Sequence, residues 1–140
     1  MRWRGLGLSG ILFFLASLSG CTTYPPAPYP TANWQTRIGQ ARYMDAQRAV
    51  TGDVSLRIAP AMPDTYTLEF SKAGNRLLLL TRQGEIGWAS GLLARGNFAG
   101  PVATAPVYLR PWFDNTSRTV QKKTLVNPGS LPRVEFRLQP

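Results

Sequence analysis

Three segments of this chain alternate apolar and polar residues with a strict period of two. Val54, Leu56 and Ile58 alternate with Asp53, Ser55 and Arg57. Tyr66, Leu68 and Phe70 alternate with Thr67, Glu69 and Ser71, and Val134, Phe136 and Leu138 with Arg133, Glu135 and Arg137. Successive side chains of a strand point to opposite faces, so this period marks half-buried strands whose apolar faces must meet a second layer. Between them, segments 76–82, 86–89, 107–114 and 118–126 also read as strands. They are set off by turn signals such as Ala73-Gly74-Asn75, Gln83-Gly84 and Asn127-Pro128-Gly129. Seven short strands without a long helical pattern predict an all-β fold, a small antiparallel β-sandwich or barrel-like domain over residues 50–140. Residues 34–49 fit a helical face only in part, with Trp34, Ile38, Ala41 and Tyr43 interrupted by Gly39. They predict an arm or short helix packed on that domain.

Composition removes most chemistry. The 140 residues include no histidine and one cysteine. Imidazole bases, histidine metal sites, intrachain disulfides and thiolate zinc clusters are therefore excluded. Asp64, Glu69, Glu85 and Asp114 lie scattered among basic residues, with no acid/base or metal-ligand spacing. Gly91-Leu92-Leu93-Ala94-Arg95-Gly96 lacks the Lys-Ser/Thr of a phosphate loop. The chain is expected not to be an enzyme and to need no cofactor or metal.

The cysteine has its own explanation. Met1-Arg2-Trp3-Arg4 is a short cationic start, and residues 5–18 are uncharged and mostly apolar. That stretch is shorter than the roughly 20 residues a membrane-spanning helix needs, and it fits the apolar region of an export signal. It ends in Leu18-Ser19-Gly20-Cys21, which resembles the bacterial lipobox, so residues 1–20 read as a lipoprotein signal peptide and Cys21 as the lipidated residue. Several acyl chains on Cys21 would anchor the chain stably to a membrane. Thr22, where an Asp would mark inner-membrane retention by resemblance to enterobacterial sorting, implies the outer membrane, facing the periplasm. Residues 21–33 then form a tether. Prolines at 25, 26, 28 and 30 favour an extended polyproline II spacer of about 3.1 Å per residue.

Without residues 1–20, 14 basic residues stand against 7 acidic ones. A basic, aromatic β domain is a design for nucleic acid, but export argues against that partner. Anionic lipid, glycan or an acidic protein segment remains. A lysozyme inhibitor is disfavoured, because its basic target would be repelled. Strand parity places a docking surface. If Leu77 and Leu79 face the core, Leu78 and Leu80 face out between Arg76 and Arg82. In 107–114 the same parity turns Tyr108, Arg110 and Trp112 outward. An apolar, aromatic stripe flanked by arginines suits an amphipathic helix or an extended acidic peptide. The competing reading is that residues 34–49 cover it.

Gly52-Asp53-Val54-Ser55-Leu56-Arg57, Ala61-Met62-Pro63 and Tyr66-Thr67-Leu68-Glu69-Phe70 resemble the opening of the YscW/YbaY-like lipoprotein family. Val107-Tyr108-Leu109-Arg110-Pro111 and Val134-Glu135-Phe136-Arg137-Leu138 resemble its closing strands. Together with the lipobox, the chain is most similar to the type III secretion pilotin branch (YscW/ExsB-like). That resemblance implies a non-catalytic β-sandwich lipoprotein that binds the C-terminal segment of a secretin and assists its outer-membrane localisation and assembly. The alternative is a general envelope lipoprotein that binds glycan, lipid or another envelope protein.

Replacing Cys21 with Ser removes the only thiol able to accept the acyl group. Fractionation is expected to find the Cys21→Ser chain unprocessed or soluble, and a variant still processed and still in the outer membrane would defeat the lipoprotein reading.

Overall fold

The computed structural model describes residues 33–121 and 131–139. The signal peptide, Cys21 and nearly all of the Pro-rich tether lie outside the described residues. Strands β1 (Gln35–Met44), β2 (Ala49–Ile58), β3 (Thr65–Lys72), β4 (Asn75–Gln83), β5 (Ile86–Gly91) and β6 (Gly96–Pro101) follow one another. Helix α1 (Arg110–Val120) and strand β7 (Arg133–Leu138) complete the order. All seven strands join one antiparallel sheet, in the order β6-β5-β4-β3-β2-β1-β7. The fold is mostly β and antiparallel with seven strands, as the alternation predicts.

The layer over the sheet's inner face is α1. Leu109, Trp112, Phe113 and Thr116 are fully buried there. Their spacing of three and four residues aligns them on one helical face. From the sheet, Tyr43, Val54, Leu56, Tyr66, Leu68, Phe70, Leu78, Leu80 and Val134 meet them in a single core. Trp112 sits at its middle, stacked 5.9 Å from Tyr43 and tilted against Phe70 at 5.0 Å and Phe136 at 6.1 Å. Gly87 lets the helix come close, since a Cβ there would stand 2.7 Å from the Phe113 ring.

Two segments differ from expectation. Residues 34–49 are neither arm nor helix, because 35–44 form β1, a central strand paired with β2 and β7. The domain therefore begins near residue 35 rather than 50. Gly39, which breaks a helical pattern, is a point of close approach instead, where a side chain would collide with the Arg137 carbonyl. Segment 107–114 is likewise no strand. Leu109, Trp112, Phe113 and Thr116 recur at helical spacing, and Pro111 sits in the first turn of α1, where its missing N–H costs nothing. Residues 118–120 end the same helix, and most of the expected strand 118–126 lies outside the described residues. Strands β1 and β6, which the alternation does not mark, bring the described strands to seven.

The helix is fastened to the sheet at its C-terminal half. The Tyr66 hydroxyl donates to the Phe113 carbonyl at 3.1 Å and lies 3.1 Å from Ser117 Oγ. Arg82 Nη1 donates to the same Ser117 oxygen at 2.8 Å. Burial pushes the Tyr66 phenol up to about 12, against the smaller opposing effects of Ser117 and Arg82. Two other buried atoms, Trp112 Nε1 and Thr116 Oγ1, have no hydrogen-bond partner among the described residues. An unsatisfied buried hydroxyl is a net cost. Thr116→Val is therefore expected to stabilise the domain by about 1 kcal/mol, raising Tm by about 4–8 °C in a thermal melt. A lower Tm would mean that the hydroxyl is satisfied by a buried water.

Candidate docking surface

The structure disperses the residues that strand parity groups together. Leu78 and Leu80 are fully buried in the core, as is Trp112. None of the three is available to a partner. The parity of β4 is the reverse of the expectation, because Leu80 pairs with inward-facing Leu68 and Leu78 with Phe70. Leu79 points to the outer face. Leu77 would share it, but a register shift at Phe70/Ser71 intervenes and it packs against the core edge. Arg82 is a fastener between β4 and α1, also donating through Nε to the Gly84 carbonyl at 2.7 Å. Arg110 lies exposed in the first turn of α1 and donates to the Ala105 carbonyl at 2.8 Å. Tyr108 and Arg76 alone remain candidates, and they share one end of the sheet.

That end is set by the meander. Successive antiparallel strands alternate direction, so the turns 45–48, 73–74 and 92–95 lie together at one end of the sheet. The 59–64 and 84–85 turns lie at the other. Arg48, Lys72, Arg76 and Arg95 sit on or beside the first set of turns, whereas Asp64 and Glu85 occupy the second. The acid of the first set, Asp45, accepts backbone N–H groups of Gln47 and Arg48 at 2.8 Å each and pairs with Arg48 at 3.5 Å. The Gln47 bond is the main cause holding its carboxyl below the usual range.

Here the inner face opens into a hollow of about 360 Å³, whose lining includes Tyr43, Asp45, Arg95, Val107, Tyr108 and Leu131. Arg95 lies with its guanidinium 4.4 Å from the Tyr108 ring centre, and the Tyr108 hydroxyl reaches the Ala94 carbonyl at 3.5 Å. Stacking of this kind holds the cation at the hollow's edge while leaving its N–H groups free to point outward. Burial raises the Tyr43 phenol, with Asp45 adding to the shift. Two large apolar side chains of its lining face solvent, Val107 at 61% and Leu131 at 52% exposure. Exposed Leu or Val singly is ordinary, but two lining one hollow beside Arg95 make a small patch.

Sequence reading misses Arg95 and Leu131, which lie in connections without periodicity, and Val107, which it assigns to a strand over 107–114. The signal along the chain is weak: glycines at 91 and 96 bracket Leu92–Ala94, both with left-handed backbone (φ 113° and 112°). No group of three or more His, Cys, Asp or Glu that could hold a metal occurs among the described residues. No helix among them is long and apolar enough to cross a membrane. Neither a family model nor a curated protein matches the chain.

Parity is directly testable. Leu78→Ala and Leu80→Ala are each expected to cost about 2–5 kcal/mol, the range for emptying a packed core site. Leu79→Ala should cost about 0.5–1 kcal/mol. Equal losses at 79 and 80 in denaturant melts would contradict the inward orientation of Leu80.

Proposed function

We propose that this chain is an outer-membrane lipoprotein, anchored at Cys21, that acts as a pilotin. It captures the C-terminal segment of a secretin at the cationic, apolar hollow and assists that protein's localisation and assembly. The observation that carries this reading is the exposed pair Val107 and Leu131 lining the hollow with Arg95 and Tyr108. Exposed apolar anchors beside fixed cations suit a segment with apolar side chains and negative charge.

The hollow's place in the fold also favours capture. The chain enters the sheet at Gln35, and β1 runs ten residues before reaching the hollow at Met44. At about 3.3 Å per residue that is about 33 Å. An anchor attached before Gln35 therefore leaves the hollow on the side away from the membrane, where an exported segment arrives. A lipid of the same membrane would have to reach around the domain.

Capture by immobilised C-terminal secretin peptide tests the reading. Val107→Ser with Leu131→Ser is expected to weaken binding about 30-fold, the loss of about 2 kcal/mol typical of central interface anchors. Both residues are exposed, so the melt should be unchanged. Arg95→Glu should slow association and remove much of its salt dependence. Unaltered binding in both variants would refute the hollow as the site, and no binding by the wild-type chain would refute the pilotin reading.

A further inference from the structure

The sheet's outer face takes no part in the core, and one row of residues crosses it. Arg57 of β2, Thr67 of β3, Thr81 of β4 and Trp88 of β5 are paired in register, strand by strand. Thr36 of β1 pairs with Arg57, and Trp34, two residues earlier, has its ring 5.4 Å from the Arg57 guanidinium. Between Arg57 and Trp88 the floor is low, made of Thr67 and the buried Thr81 with hydroxyls 3.5 Å apart. Three interstrand steps of about 4.8 Å make the trough about 14 Å long. Leu79 and Ile86 border its Trp88 end and belong to no part of the core.

We propose that this trough seats the chain's own Pro-rich segment, residues 22–32, running back from Trp34 across the sheet to Trp88. The segment begins at the right place, because residue 33 adjoins Trp34 at one end of the trough. Its length fits: Pro25 to Pro30, six residues in polyproline II, cover about 19 Å. Its chemistry fits as well. Polyproline II segments lose little entropy on docking and are recognised by aromatic-lined grooves. TTYPPAPYPTA carries no charge, and neither does the floor between Arg57 and Trp88. A second copy or a foreign peptide would compete against a segment tethered next to the trough at an effective concentration of about millimolar. Seating the segment shortens the leash, holding the domain close to its anchor with the hollow outward. The docking itself does not depend on which partner the hollow takes.

The test is NMR on the mature chain carrying Cys21→Ser, whose three indole N–H groups belong to Trp34, Trp88 and Trp112. The expected result is nuclear Overhauser contacts from the Tyr24 or Tyr29 ring to the Trp88 ring. Replacing Pro25, Pro26, Pro28 and Pro30 with Ser should abolish them and shift the Trp88 and Trp34 indoles, leaving buried Trp112 in place. No contacts, together with indoles indifferent to the four substitutions, would overturn the proposal. A Trp88 shift that scales with protein concentration would overturn it in favour of a second copy. If the proline variant also moves Trp112, Trp88→Ala in the wild-type arm decides. It should increase backbone motion of residues 24–30, and unchanged motion would overturn the docking.

Discussion

The insertion of Trp112 against the inner face of the sheet is the contact on which the rest of the structure depends. Its ring meets Tyr43 of β1, Phe70 of β3 and Phe136 of β7 at once. An open seven-stranded sheet has one apolar face and no partner sheet among the described residues. Without α1 that face would remain in water, and removing apolar area from water is the main driving force of folding. The strands therefore turn their apolar side chains toward an eleven-residue helix, with which they share one core.

That arrangement divides the surface into regions of different character. The inner face is consumed by the helix except at one end, where the 45–48, 92–95 and 105–109 segments do not meet. The hollow lined by Tyr43, Tyr108 and Arg95 is the space they leave. At the opposite end Arg82, Tyr66 and Ser117 tie helix to sheet, closing it with hydrogen bonds. The docking role is proposed for the open end, where exposed Val107 and Leu131 line a hollow with Arg95. The outer face is a third region, mostly polar and crossed by the row that ends at Trp88.

Much of the fold is legible in the residues alone. The alternation over 53–58, 66–71 and 133–138 marks β2, β3 and β7 correctly, since half-burial imposes period two on any strand with one wet face. Ala73-Gly74 marks the β3–β4 hairpin correctly, and both residues adopt positive φ. The leucine run of β4 is ambiguous for a physical reason. Four consecutive leucines carry no parity, so only pairing with Leu68 and Phe70 selects which two face inward. Segment 107–120 misleads because its apolar residues satisfy period two over 107–113 and the helical period over 109–116. The contact that decides between them is with distant strands.

The amino-acid sequence by itself determined the class of fold, the absence of imidazole and disulfide chemistry, and the excess of positive charge. These follow from composition and local period, which need no knowledge of neighbours. Tertiary structure alone decided that Leu78, Leu80 and Trp112 are core, that residues 35–44 are a central strand, and that Val107 and Leu131 converge on one hollow with Arg95. Those facts depend on which strand lies beside which, and a surface assembled from separate connections has no signature along the chain. Convergence in space is a property of the closed sheet and helix, not of any one segment.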